Sequence, residues 1–266
     1  MPKGLPERMA TRRAHQAPDW WPDWRMAGGP TADRPDHRGG RQRAVDGLGP
    51  RLHRAFERFA RTVFRLWVTL DVEGREHLPA RPFLLCSNHA SHLDGVALMV
   101  ASGLPFDGFR LLAAADYSAP GSPAGRLTRA VLRIVPVDRE GHAARLRQTV
   151  SECRAVVQAR GRLIAFPEGT RSLDGTLLPF KRGAAFLAAE LGVPVVPAAI
   201  AGTRQAMPKG RWIPRPGRVL VRFGPPIQPE EWVGTPGTRH GRAYVARELE
   251  GRIRCLSTGM ATPRRP

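Results

Sequence analysis

The chain has 266 residues and 42% of them are apolar, which is enough for one large domain or two small ones with a substantial core. Its formal charge of +19 is almost entirely arginine, because Lys3, Lys181 and Lys209 are the only lysines. Such a charge indicates an anionic partner, namely nucleic acid, an anionic membrane surface or a phosphorylated small molecule.

The cysteines and the apolar runs argue against several classes of protein. Cys86, Cys153 and Cys255 are scattered, odd in number and without a CxxC pair. This excludes a disulfide framework or a zinc knuckle and fits a reducing compartment. The first residues lack the apolar core of a signal peptide, and no apolar run approaches the roughly 18 residues of a membrane span. We therefore expect neither element.

The N-terminal part divides into a tail and a helix. Residues 1–49 mix Arg, Pro, Gly, Asp and Trp without periodicity, which is typical of a disordered basic tail. In residues 51–66, apolar side chains recur at helical spacing with arginines interleaved, which predicts an amphipathic helix. Such a helix either lies in a membrane surface or packs on its own domain, and the segment alone leaves both open.

Strands and helices then alternate. Strands are predicted over 67–74, 82–88, 110–115, 134–138, 162–167, 193–201 and 218–224, and helices over 92–102, 122–133, 142–160, 181–191 and a C-terminal segment. This predicts an α/β fold, with a single domain whose largely parallel mixed sheet is flanked by helices. We expect the domain to span 50–258, with its core at 67–225 and a C-terminal tail at 259–266. Ligands are expected beyond the carboxyl ends of the strands.

The stretch CSNHASHLDG follows the second predicted strand and carries two histidines and a carboxylate. In one interpretation, His89 is a general base and Asp94 orients its ring. In a second, His89, His92 and Asp94 bind a metal, although no HExxH pattern or cysteine pair supports this. In a third, Asp94 only caps the next helix together with Ser91. The residues alone leave the three interpretations open.

A second polar stretch, FPEGTRS, follows a later strand. Gly169 allows the backbone to approach a ligand closely, and Arg171 offers a guanidinium suited to phosphate. Glu168 can orient that arginine or accept a hydrogen bond from a substrate hydroxyl. Lys181 and Arg139 can add positive charge at the same rim. The alternative is a surface turn with an ordinary pair of Glu and Arg.

Four stretches now form a pattern: NHASHLD (88–94), IVPVDR (134–139), FPEGTRS (166–172) and VPVVP (193–197). In order and approximate spacing they resemble the four sequence blocks of the glycerolipid acyltransferase family, best known for 1-acylglycerol-3-phosphate acyltransferases. The first stretch has the NHxSxxD pattern, in which four residues separate His89 from Asp94, and the third matches its block at every position. One block would be weak, but four in order are specific for the family.

The resemblance implies transfer of a fatty acyl group from acyl-CoA or acyl carrier protein to the hydroxyl of a lysophospholipid. His89 would deprotonate the hydroxyl and Asp94 would orient His89, with no acyl-enzyme, metal or bound cofactor. The default acceptor is 1-acylglycerol-3-phosphate, which gives phosphatidic acid. The residues expected to bind the acceptor are Glu168, Gly169, Thr170, Arg171, Arg139 and Lys181. Residues 193–197 would line or support the acyl site.

Two positions depart from the family's usual pattern. Asp116 stands about where members often carry a lysine, and Arg133 where they often carry a glycine. Another lysophospholipid or a glycolipid therefore stays open as acceptor. A non-catalytic lipid-binding relative is also open, although it would be expected to have lost His89 or Asp94. A hydrolase is disfavoured because the chain has no GxSxG motif, and a nucleic-acid-binding protein because it has no recognisable reading module.

Both implied substrates are amphiphiles, so the resemblance favours work at a bilayer. We expect a peripheral protein on the cytoplasmic face of the cell membrane, attached through residues 51–67 and the basic tail. An attraction of about 1 kcal/mol per basic residue near an anionic surface would make this attachment reversible and sensitive to salt.

Overall fold

The computed structural model describes residues 49–114, 128, 131–138, 143–208, 211, 213–232 and 239–260. Residues 1–48 of the basic tail predicted for 1–49, most of the helix predicted for 122–133, and most of the tail predicted for 259–266 lie outside these ranges. The helices are α1 (Gly49–Leu66), α2 (Asp94–Ser102), α3 (Ala143–Gln158), α4 (Gly183–Leu191), α5 (Thr203–Ala206) and α6 (Arg239–Ser257). Short 3-10 helices occur at Arg75–His77, Phe106–Gly108 and Pro229–Trp232.

The strands of the described ranges form one seven-stranded sheet. They are β1 (Val68–Glu73), β2 (Leu84–Ser87), β3 (Phe109–Ala114), β4 (Ile134–Val137), β5 (Arg162–Ala165), β6 (Val195–Ala201) and β7 (Gly217–Phe223). Their order is β1-β7-β6-β2-β5-β3-β4, and every neighbouring pair is parallel except β6 with β7. The predicted fold class, an α/β domain with a largely parallel mixed sheet, is confirmed.

The most apolar strands lie in the middle of the sheet. All of β2 is buried, and so is all of β6 except Ala201. Continuous apolar runs suit strands whose two faces are both covered. By contrast, the edge strand β1 has one fully buried residue, Val68. The loop that carries the candidate base therefore begins at the centre of the sheet, because it follows β2.

Helices cover both faces of the sheet. On one face, α1 and α2 contribute Phe64 and Leu98 to an apolar core. On the other, α4 and α6 contribute Phe186 and Leu249 to a second core. Residues 184–189 of α4 are all buried, as expected for a helix that is apolar around most of its circumference. The sheet is thus rigidly enclosed, and its loops are the part available to ligands.

The apolar residues of α1 divide between two faces. Phe64 is buried, and Phe56 meets the ring of Phe106 edge-on with 6.1 Å between centroids. Phe59 and Leu66 are 66% and 75% exposed, and their seven-residue spacing places them on one side of the helix. Part of the predicted apolar stripe therefore packs on the domain, and part faces outward. Across the described ranges, no helix is both long and apolar enough to span a bilayer.

A tight turn at the end of β6 directs the chain into α5. Gly202 has a φ of 89°, in the left-handed region. A Cβ at this position would collide with the carbonyl oxygen of Arg218 in the neighbouring strand β7. Glycine meets both constraints because it has no Cβ. The turn brings Met207, the residue after α5, to the edge of the sheet that carries the loop after β2.

Candidate active site

The loop between β2 and α2 carries the candidate base and is fixed by two side chains. The Asn88 amide donates to the Ile200 carbonyl in β6 at 2.9 Å and accepts the Ile200 N–H at 2.8 Å. The Ser91 hydroxyl donates to the Met207 carbonyl at 2.7 Å. These bonds join the loop to the ends of two other elements, so the histidine between them has little freedom to move.

The buried carboxylate of Asp94 holds the ring of His89. Their Oδ2 and Nδ1 atoms lie 2.8 Å apart, and the side chain of Asp94 is fully buried while that of His89 is 13% exposed. Oδ2 also accepts the backbone N–H groups of Ala90 at 2.7 Å and Ser91 at 2.8 Å. Because an ionised carboxylate can only accept, Nδ1 carries the proton and Nε2 is the proton acceptor of the neutral ring.

Asp94 contacts the ring of His89, and it also closes the turn that leads into α2 through its bond to the Ser91 N–H. Asp94 therefore does more than cap the helix, and the role of His89 as a general base stays a prediction. The helix begins at Asp94, two residues later than the predicted start at His92. For the metal interpretation, no group of three His, Cys, Asp or Glu side chains suited to hold an ion is found among the residues that the structure describes.

His92 lies in a positively charged region of the site. Although the residue is partly exposed, desolvation of the rest of its ring is the main cause that lowers its pKa to about 4. The positive charge of Arg171 adds to this lowering, as a proton on the neighbouring His89 ring would, and the carboxylate of Asp94 opposes it. His92 is therefore neutral at pH 7.

The FPEGTRS loop (residues 166–172) contacts His89 at three points. It starts at the end of β5, which runs parallel to β2, so both loops leave the same edge of the sheet. The Phe166 ring stacks on the imidazole with 3.9 Å between centroids and 11° between planes. Glu168 Oε1 accepts the His89 N–H at 2.6 Å, and the Ser172 N–H donates to the His89 carbonyl at 2.8 Å. The loop thus holds both the ring and the backbone of His89.

Glu168 occupies a different environment from the one the sequence suggests. Its residue is 2% exposed, and its second oxygen accepts the Leu178 N–H at 2.9 Å. Its partners are thus backbone N–H groups, and not the guanidinium of Arg171. Burial raises the pKa of Glu168, and the two hydrogen bonds oppose this effect. Direct contact between Glu168 and an acceptor stays a prediction.

Other residues predicted to bind the acceptor lie on or next to the same loop. Arg171 is half-buried and Thr170 is exposed. Gly169 has a φ of 67°, and a Cβ there would lie 3.0 Å from Cδ and 3.1 Å from Nζ of Lys181, so the lysine chain passes directly over it. Among the described residues, neither Arg171 nor Lys181 forms a salt bridge. Both cations are therefore available to an anion such as phosphate.

Two further expectations concern residues outside this cluster. Arg139 lies outside the described residues, although β4, which precedes it, is parallel to β3 and ends at the same edge of the sheet. In the stretch 193–197, Val195 and Val196 are fully buried in the sheet. A role of this stretch at the acyl site stays a prediction.

Sequence reasoning assigned no role to Phe166 or Asn88, which both contact the candidate site. Asn88 offered a signal, because an amide beside a candidate base and next to a buried strand needs hydrogen-bond partners. Phe166 offered none, because its stacking on His89 depends on β2 and β5 being neighbours in space. That adjacency is not readable from the spacing of residues.

The chain is similar to known proteins of one family. The family model described as Acyltransferase matches residues 69–201, which is half of the chain. A 1-acyl-sn-glycerol-3-phosphate acyltransferase of Limnanthes alba is 32% identical over 165 residues, covering 62% of this chain and 57% of the relative. The alpha form from Mus musculus is 32% identical over 165 residues, covering 61% and 56%. The chain thus spans a little more than half the length of these relatives.

A solved structure is also similar. The crystal structure of the 1-acyl-sn-glycerophosphate (LPA) acyltransferase from Thermotoga maritima aligns with a TM-score of 0.59 and 26% identity, over 84% of this chain and 90% of that one. The residues matched by the family model include β2 to β6 and both loops that hold His89. The chain therefore belongs to the acyltransferase family.

Proposed function

We propose that this protein transfers a fatty acyl group from an acyl thioester to the free hydroxyl of 1-acylglycerol-3-phosphate, giving phosphatidic acid. The observation that carries the proposal is the 2.8 Å contact between His89 Nδ1 and the buried carboxylate of Asp94. Relatives and a solved structure that bear the name of this activity support it.

In the proposed reaction, His89 acts as the general base and Asp94 orients it. Nε2 takes the proton of the acceptor hydroxyl while the hydroxyl oxygen attacks the thioester carbonyl. The negative charge of Asp94 stabilises the imidazolium that forms. The tetrahedral intermediate then expels the thiolate, which takes the proton back from Nε2 and leaves as the free thiol. No acyl-enzyme and no bound cofactor are needed, and the thioester is acyl-CoA or acyl carrier protein.

The acceptor phosphate is assigned to Arg171, because its guanidinium is half-buried beside the base and unpaired among the described residues. Lys181 adds a second positive charge, and its side chain passes directly over Gly169. A side chain at position 169 would obstruct this close approach of the lysine. Thr170 is exposed on the same loop and offers a hydroxyl. Arg139 is retained as a further phosphate ligand on the strength of the family pattern alone.

We propose that the reaction takes place at a membrane surface. The protein would be a peripheral protein on the cytoplasmic face of the cell membrane. Both substrates are amphiphiles, so their reacting groups are presented at a lipid interface. The exposed Phe59 and Leu66 of α1 lie next to Arg58 and Arg65, which are also exposed. Apolar side chains flanked by arginines suit an anionic lipid surface.

The test is acyl transfer from labelled acyl-CoA to a panel of lysolipids, with the wild type compared with His89→Ala. We expect transfer to 1-acylglycerol-3-phosphate, and a loss on the order of 10²- to 10⁴-fold in the variant, the usual contribution of a general base. His240→Ala is the matched control, because His240 is exposed on α6 and should keep full activity.

Other outcomes would change the proposal in defined ways. Transfer to a different lysophospholipid or to a glycolipid would keep the mechanism and replace the acceptor. If acyl-CoA gives no transfer, the panel is repeated with acyl carrier protein. If neither donor gives acyl transfer to any acceptor, the proposed activity is contradicted and a non-catalytic lipid-binding protein is favoured.

A further inference from the structure

The FPEGTRS loop does more than present cations, because it also determines where His89 lies. Glu168 in this loop accepts the His89 N–H at 2.6 Å, and the Ser172 N–H donates to the His89 carbonyl at 2.8 Å. It covers one face of the imidazole with Phe166. Asp94 contacts Nδ1 at the edge of the same ring, so the backbone and the side chain of His89 are both fixed.

Glu168 is the residue of this loop whose geometry is least suited to binding a substrate. It is 2% exposed, and each of its oxygens accepts a backbone N–H, from His89 and from Leu178. Burying a carboxylate is costly unless it is well hydrogen-bonded. A bond between an ionised carboxylate and a backbone N–H is about twice as strong as a neutral one, so these two bonds offset much of that cost.

We infer that Glu168 is a positioning residue, whose carboxylate fixes the backbone of His89 instead of binding the acceptor. For its effect on catalysis, this inference rests on the proposed function. A displacement of about 1 Å at a reacting group can cost on the order of 10²-fold in rate, so a base on a surface loop needs such support. Glu168 supplies it from the neighbouring parallel strand.

Arg171 lies between Glu168 and Ser172 in sequence, and both of these residues hold His89 through hydrogen bonds. The carboxylate of Glu168 contacts backbone N–H groups of His89 and Leu178, and it is buried. A mutation that weakens these bonds should therefore affect turnover more than acceptor affinity.

The first test measures backbone amide exchange at His89 by NMR, in the full-length chain without substrate. In Glu168→Gln the side chain keeps its size, but its NH2 group must face one of the two backbone N–H groups. The bond to His89 is then lost or becomes a neutral one. We expect the His89 amide to exchange about tenfold faster or more, which matches the loss of a hydrogen bond to a charged group.

The second test measures acyl transfer by the same variant. We expect kcat to fall by ~10- to 100-fold while the acceptor KM stays within about twofold of the wild type. Glu168→Asp is a second variant that keeps the charge but shortens the reach. It should show the same loss in kcat, and it serves if Glu168→Gln does not fold.

The matched control is Glu231→Gln, since Glu231 Oε1 also accepts a backbone N–H, from Gln228 at 2.7 Å, away from the site. It should leave both kcat and the His89 exchange rate unchanged. A raised acceptor KM in Glu168→Gln, with unchanged kcat and unchanged exchange at His89, would overturn the inference and place Glu168 on the acceptor. If the wild type itself transfers no acyl group, the proposed function fails, while the exchange measurement still decides whether Glu168 holds His89.

Discussion

At the scale of single residues, Asp94 meets two demands with one oxygen. Its Oδ2 accepts three N–H groups, from the His89 ring and from the backbone of Ala90 and Ser91. Its Oδ1 is buried and has no hydrogen-bond partner among the described residues. One oxygen of this carboxylate thus both closes the turn and contacts the histidine ring, where its charge can stabilise an imidazolium.

Replacing Asp94 with asparagine separates orientation from charge. The amide oxygen can keep the bonds to Ala90 and Ser91, but it carries no charge to stabilise the imidazolium. We expect Asp94→Asn to lower kcat on the order of 10²- to 10⁴-fold. The new NH2 group at the buried Oδ1 position should lower the free energy of unfolding by about 1–3 kcal/mol. Acyl-transfer kinetics and urea unfolding measure the two effects.

Asp71→Asn is the matched control for that prediction. Asp71 pairs with Arg218 at 2.8 Å on the surface, where its side chain is 41% exposed. Such a pair contributes less than about 1 kcal/mol, so both the activity and the stability should stay close to those of the wild type. If Asp94→Asn keeps the kcat of the wild type, the charge of Asp94 does not assist catalysis and Asp94 only caps the turn.

The sequence predicts the contact between His89 and Asp94 but not the partners of Glu168. Asp94 lies five positions after His89, so a single loop and the first turn of α2 bring the two residues together. By contrast, Glu168 lies 79 positions after His89, and their hydrogen bond exists because β5 pairs with β2. Family resemblance marks Glu168 as functional, but its side-chain direction depends on this pairing.

At the scale of elements, α1 presents two surfaces with different tasks. Phe56 and Phe64 fix it to the domain, while Phe59 and Leu66 face outward. Arg58 and Arg65 have the same seven-residue spacing and lie one position before the outward apolar pair. One exposed face therefore carries both apolar and positive groups, as a surface-bound helix requires.

We expect the double variant Phe59→Ser with Leu66→Ser to bind anionic vesicles at least about tenfold more weakly. Burying each of these side chains in lipid is favourable by roughly 1.5–3 kcal/mol, and their exposure means that the fold does not depend on them. Co-sedimentation with vesicles of phosphatidylcholine and phosphatidylserine measures the effect. Added salt should weaken the wild type further, because the arginines contribute through screened charge.

A charge-matched pair of variants tests the place of attachment. Arg58→Gln with Arg65→Gln removes two exposed charges from α1, and Arg239→Gln with Arg247→Gln removes two from α6. The first pair should weaken vesicle binding more than the second. Equal losses would show that total charge attracts the protein to lipid, and that α1 has no special part in attachment.

At the scale of the whole molecule, the three cysteines report on the layers of the fold. Burial raises the pKa of Cys86 far above its ordinary value and that of Cys153 to about 12, whereas Cys255 is exposed on α6. We expect a thiol reagent at pH 8 to modify Cys255 in the native protein and the other two only in denaturant. Mass spectrometry of the labelled peptides measures this, with Cys255→Ser as the unlabelled control. Rapid native labelling of Cys86 would contradict the central position of β2.

The sequence predicts the existence of most elements but not their order in the sheet. Buried apolar runs identify β2 and β6 as central, because polar alternation is absent from both. The pairing of β1 with β7 leaves no such mark, since it joins segments far apart along the chain. The antiparallel direction of β7 against β6 likewise leaves no mark in the spacing of residues.

The pairing of β1 with β7 also has a consequence during synthesis. Glu73 and Arg222, which form an ion pair across these strands, are 149 residues apart in the chain. At 5–20 residues per second, a ribosome needs on the order of ten seconds to deliver the second strand after the first. Throughout that interval the nascent β1, which lies at the sheet's edge, lacks its partner strand. Folding of this domain is therefore expected to finish late, when β7 emerges.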